Sequence, residues 1–143
     1  MAVGLRGLSV LIGVFLIFMG LAKTAWLTDG GILLSELERW QGLAPAPSLW
    51  YLETVAIPGA PLFARLVPLG ELATGAALVI GYRVQMTAVT ALLMIINFHF
   101  ASGIMFTFGY LTNGFGLPVL GGLFALAAGG AGLPYGVSLS RRT

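Results

Sequence analysis

The stretch VQMTAVTALLMIINFHFASGIMFTFGYLTNGFGLPVLGGLFALAAGGAGLPYGVSLS, residues 84–140, runs for 57 positions without one Asp, Glu, Lys or Arg. As continuous helix it would measure about 85 Å, close to three hydrocarbon thicknesses, so it must fold back on itself inside a bilayer. The natural break is FGYLTNGFGLP, residues 108–118, where Asn113-Gly114 favours a turn and Pro118 suits the first position of a helix. This predicts one span near 84–107 and another near 116–133.

Working outward, charge marks two further spans, because a charged side chain at the bilayer centre costs a few kcal/mol or more. Sixteen uncharged residues, GLSVLIGVFLIFMGLA, lie between Arg6 and Lys23, and seventeen, LVPLGELATGAALVIGY, lie between Arg65 and Arg83 with Glu71 alone inside them. Spans over about 7–27 and 62–82 result. The first reads as a retained helix: its apolar core is long for a secretory signal, and no small-residue cleavage motif follows Lys23.

Composition agrees. Of 143 residues, 58% are hydrophobic and 8% charged, where a soluble domain of this size needs roughly a quarter charged. The predicted fold is therefore all-α, one domain over 1–143: an integral membrane four-helix bundle, with the outer loop 28–61 interfacial and partly helical. Leu33, Leu37 and Trp40 share one face of a short helix in that loop, opposite Ser35, Glu38 and Arg39. Trp26, Trp40, Trp50 and Tyr51 also fall there, as rings that favour the headgroup level do. Glu36 and Arg39 form an exposed pair on the same helix.

The net charge of +2 comes from scattered basic residues, which excludes a nucleic-acid-binding patch. No cysteine is present, excluding thiol redox chemistry, disulfides, iron–sulfur ligation and thiolate zinc. No metal-ligand spacing or phosphate-cradling loop occurs, so no cofactor is encoded by motif. Arg6, Arg83, Arg141 and Arg142 share one side of an even-span topology. That predicts N-in, C-in in a prokaryotic-type plasma (inner) membrane, although Lys23, Arg39 and Arg65 in the long loop oppose it.

The polar groups at depth are the candidate site. Lys23 lies near the outer end of the first span, Glu71 within the second, and Asn97 and His99 in the outer half of the third, with Thr74 one turn from Glu71 to donate a hydrogen bond to it. A cluster of Lys23, Glu71 and His99 supplies hydrogen bonds and protons to a quinone headgroup, or Glu71 pairs with Lys23 to lock the bundle. His99 reads as a hydrogen-bonded packing histidine in preference to an axial haem or chlorin ligand. Arg6 and Arg83 read as side chains reaching for inner headgroups. Small residues at four-residue spacing, Ala73, Ala77 and Gly81, then Gly121, Ala125 and Gly129, predict close helix contacts.

The pattern of Arg6, Gly13, Phe15, Gly20 and Lys23 resembles the opening of DoxX/DoxD-like membrane proteins. Residues 58–103, with Gly70-Glu71, Gly81 and Arg83 in order, are similar to the centre of the DoxD type, and GGAGLPYGVSLS, 129–140, to its close. The resemblance implies a four-helix membrane fold and a subunit associated with quinone-linked electron transfer, as in an archaeal thiosulfate:quinone oxidoreductase, with Arg6, Lys23, Glu71 and Arg83 at matched positions. Two departures stand out. Gly116-Leu117-Pro118 lacks an acid that many relatives carry before the proline, and Ser140 stands where Asp is usual. Catalysis is therefore left open. The alternative is a non-catalytic accessory subunit of a larger respiratory or photosynthetic complex. In either case lipid and other membrane subunits are the expected partners.

Overall fold

The computed structural model describes residues 1–137, so Ser140, one of the two departures from the family pattern, and the expected inner Arg141 and Arg142 lie outside the described residues. Every element described is helical. Three helices are long and apolar enough to cross a bilayer: α1 (Ala2–Leu21), α4 (Ala60–Ile80) and α5 (Val84–Ala101). Side chains that face outward on them, among them Leu11, Phe18, Leu69 and Met86, are as apolar as those that face inward. Helices apolar all round belong in lipid, and the chain is a membrane-embedded helical protein on that ground.

Several boundaries differ from expectation for local reasons. α1 stops at Leu21, not near 27, and a short 3₁₀ turn over Thr24–Leu27 follows. α5 stops at Ala101 rather than near 107, because Gly103 adopts a left-handed conformation (φ 71°) and Pro45 presses on it, where a Cβ would sit 2.8 Å from the ring. The last helix, α6 (Leu117–Gly129), is 13 residues, about 20 Å, and ends before 133. Pro118 does lie in its first turn, and the Asn113 side chain accepts a hydrogen bond from the Gly116 amide at 2.6 Å in the turn before it.

The segment 28–61 folds into α2 (Gly30–Gln41), α3 (Ala46–Tyr51) and a π turn over Leu52–Ala56 leading to α4. Asp29 caps α2 by accepting from the Gly31 amide at 2.9 Å. The apolar face of α2 does not lie on lipid as its pattern suggested. Leu33 and Leu37 are buried with Ala60 and Ala64 of α4, so the flap is a protein-packed cap. Of the tryptophans only Trp50 is exposed, while Trp26 is buried in that cap and Trp40 meets Phe98 edge-on at 5.0 Å.

α1 and α4 pack antiparallel at backbone distance through Gly13 and Gly75. A Cβ built on either would fall 2.7 Å from the other's carbonyl oxygen. The small residues that make this seam are not the ones predicted: Ala73 and Gly121 are exposed, and nothing lies within 4 Å of a Cβ built on Gly121. Gly122, one position on, meets Ile12 instead. On α1, Gly20 lies against Pro68 and Leu72, which puts the last turn of α1 level with the middle of α4. α4 thus continues toward α2 beyond the end of α1.

At the opposite end Arg6 does not reach for headgroups. Its guanidinium donates to the Leu78 and Val79 carbonyls at 2.8 and 2.5 Å, and Ser9 donates to Leu78 at 2.7 Å. These are last-turn carbonyls beyond the regular helical ladder, with Leu78 taking only a 3.3 Å bond from the Gly81 amide, so Arg6 caps α4 alongside left-handed Gly81 (φ 75°). Replacing Arg6 with Lys keeps the charge but removes the fork that spans both carbonyls. Arg6→Lys is expected to lower stability by about 1–3 kcal/mol in thermal unfolding in nanodiscs. Wild-type stability for Arg6→Lys would instead mean that charge at this level is all that matters.

Candidate functional site

Because α6 is short, it covers only one half of the bundle. Gly129 lies against Leu5 and Gly122 against Ile12 and Leu8, so the start of α6 falls level with Phe15, whose ring is 6.0 Å from that of Phe115. The space a longer fourth helix would fill is a cleft of about 920 Å³. Phe15, Phe63, Phe98, Phe115 and Trp40 give it aromatic walls, and Lys23, Glu71, Asn97, His99, Ser102 and Thr107 supply polar atoms. Leu66 of α4 and Leu93 of α5 line it and are also more than half exposed, marking an apolar mouth on the outer surface of the helices.

Lys23 and Glu71 meet in the cleft. The ammonium donates to both carboxylate oxygens, at 2.9 and 2.8 Å, and to the Met19 carbonyl at 3.1 Å; both side chains are buried. Three features of the sequence converge here. Lys23 follows the end of α1, where unpaired carbonyls and the negative end of the helix dipole favour a cation. Glu71 faces inward on α4 beside buried Pro68 and Thr74. Phe98 and Trp26 put ring faces 5.6 and 5.9 Å from the Lys23 nitrogen, so the cation keeps electrostatic company on its apolar side.

The other candidates fall differently. His99 lines the same cleft but makes no hydrogen bond to the pair; its Nδ1 is 2.9 Å from the Tyr110 hydroxyl, and no protein group among the described residues partners its Nε2. Asn97 accepts from the Tyr51 hydroxyl at 2.6 Å, which ties α3 to α5; it also lines the cleft, and its amide hydrogens have no protein partner among the described residues. Thr74 does not serve the Glu71 carboxylate: its hydroxyl donates to the Gly70 carbonyl at 2.7 Å and to the Glu71 carbonyl at 3.3 Å. Arg83, exposed at the α4–α5 turn with φ 41°, lies with Arg6 at the far end beside a separate cavity of about 400 Å³. Neither arginine is part of the cleft. Glu36 and Arg39 pair on the outer face of α2, far in kind from the buried ions.

Phe98 and Phe115, which line the cleft, and Tyr110, which partners His99, are residues the sequence did not single out. Tyr110 and Phe115 sit in the aperiodic connection 102–116, where no spacing rule indicates which ring turns inward. Among the described residues no three His, Asp or Glu side chains gather as a metal site requires. No family model, curated protein or solved structure matches the chain.

Proposed function

We propose that this chain is a four-helix, multi-pass protein of a prokaryotic-type plasma membrane, N-in and C-in, whose outer cleft binds a quinone-class headgroup in the service of electron transfer. The observation that carries the reading is the cleft itself: aromatic walls of a size that suits a ring, an apolar mouth at the lipid-facing surface, and a buried ion pair with His99 and Asn97 inside. Ligand sites are mostly apolar hollows with a few placed polar groups, and ionisable groups at membrane depth are more often functional than not. The resemblance to DoxX/DoxD-like proteins points the same way.

The fourth crossing is completed by the connection 102–116, whose Phe106, Phe108 and Leu111 are exposed and apolar. Irregular backbone at that depth is tolerated where it lines a cavity, and Ser102, Ile104 and Thr107 line this one. Arg6 and Arg83, in short segments at one end, support the orientation, while Lys23, Arg39 and Arg65 at or in the long outer segment oppose it.

Extraction into native-lipid nanodiscs followed by mass spectrometry tests the reading. Wild-type protein is expected to carry quinone enriched over the surrounding lipid, and Leu93→Trp, which fills the mouth, is expected to lose it. Equal quinone content in both, or no enrichment in either, would count against the site.

A further inference from the structure

The hydrogen-bond inventory of the cleft specifies which redox form fits. An ammonium has three hydrogens, and those of Lys23 are all committed, two to Glu71 and one to Met19. The ion pair therefore has no proton free to donate to a ligand. The Glu71 carboxylate does keep acceptor capacity, since each oxygen takes only one hydrogen from Lys23 and a carboxylate offers about four lone-pair sites. At this pole the site is an acceptor.

Elsewhere along the cleft lining the polarity is mixed. The Asn97 carbonyl oxygen is taken by Tyr51, so its free groups are amide hydrogens, which donate. His99 Nε2 is a donor or an acceptor according to which way the hydrogen lies between Nδ1 and the Tyr110 hydroxyl. A quinone offers two acceptors and meets the Glu71 carboxylate as lone pair against lone pair. A quinol hydroxyl donates to Glu71 at one end, and at the other accepts from Asn97 or exchanges with His99.

Resting on the quinone-class reading above, we infer that the cleft is built for the hydroxyl-bearing, reduced form: a quinol, with Glu71 as the acceptor that selects it. Glu71 is a specificity-determining residue here, and Lys23 is the positioning residue that holds its two carboxyl oxygens aimed. The aromatic walls treat the two redox forms alike. Discrimination therefore falls on the polar poles.

The test uses the full chain in lipid nanodiscs, titrated calorimetrically and without oxygen with three probes: a short-tailed benzoquinol, the matched benzoquinone, and the dimethyl ether of the quinol. The ether keeps the ring and loses both donors. A hydrogen bond to a charged acceptor supports a preference of about tenfold or more, so the quinol is expected to bind at least about tenfold tighter than either the quinone or the ether. In the double variant Lys23→Met/Glu71→Leu, which removes the acceptor without stranding a charge, the three affinities are expected to draw within about twofold of one another.

Equal affinities in the wild type would overturn the selection of the reduced form while leaving the ligand site standing. Binding of none of the three would overturn both. A quinol preference that persists in the double variant would remove Glu71 from the role.

Discussion

Removing either member of the Lys23–Glu71 pair alone is expected to cost about 3–5 kcal/mol of stability, and removing both to restore most of it. The reasoning rests on what is left behind. Lys23→Met strands a carboxylate in a cleft walled by Phe98 and Met94, and Glu71→Leu strands an ammonium between two ring faces. A buried charge without its partner pays the full desolvation penalty or shifts its protonation, whereas two apolar side chains of similar volume fill the same space without charge. Unfolding of the two single variants and Lys23→Met/Glu71→Leu in nanodiscs forms a double-mutant cycle that measures the coupling. Single variants within about 1 kcal/mol of wild type would place the pair in the class of solvated surface bridges and remove its locking role. Ligand binding separates the two uses of the pair: the double variant is expected to fold and to lose the preference for quinol.

The second large effect is expected at the α1–α4 seam. Gly13→Ala and Gly75→Ala each put a methyl 2.7 Å from a backbone carbonyl oxygen and 2.9 Å from a backbone nitrogen of the facing helix. Backbone cannot turn aside as a side-chain tip can. The helices must separate, at a cost of about 1–3 kcal/mol for each substitution and with loss of the close approach that replaces the hydrophobic effect between helices in lipid. Gly121→Ala and Gly7→Ala serve as controls, since nothing lies within 4 Å of a Cβ at either position, and both are expected to be neutral or slightly stabilising. Unfolding midpoints of the four variants decide it. A neutral Gly75→Ala would mean that the seam is looser than the structure has it.

These effects bear on the cleft, because the seam and the ion pair set the same register. Gly20 against Pro68 and Leu72 fixes where α1 ends beside α4, and Lys23 leaves α1 at that level to find Glu71. A shift of one turn would carry the pair out of reach. Arg6 holds the other end of the same two helices.

Much of this was legible before any coordinate. An uncharged run is a local property, and the cost of charge in hydrocarbon is levied residue by residue, so the runs after Arg6, after Arg65 and from Val84 onward marked the apolar helices directly. The turn at Asn113-Gly114 and the helix start at Pro118 were local too. So was the candidacy of Lys23, Glu71, Asn97 and His99, because polar groups in apolar runs stand out by composition alone.

The sequence by itself thus determined an all-helical, membrane-embedded chain with a small set of buried polar groups. Only the tertiary structure decided that Lys23 takes Glu71 while His99 takes Tyr110, and that Gly75 and Gly122 touch neighbours where Ala73 and Gly121, unlike Gly81 and Gly129 of the same stripes, face outward. It also decided that a 13-residue α6 leaves a cleft beneath the flap. The reason is physical: in an amphipathic soluble helix the polar face shows which way the helix is turned, but a helix apolar all round carries no such mark. Rotation and register then come from non-local contacts, a glycine meeting a glycine and an ammonium meeting a carboxylate, which no spacing along one helix can reveal.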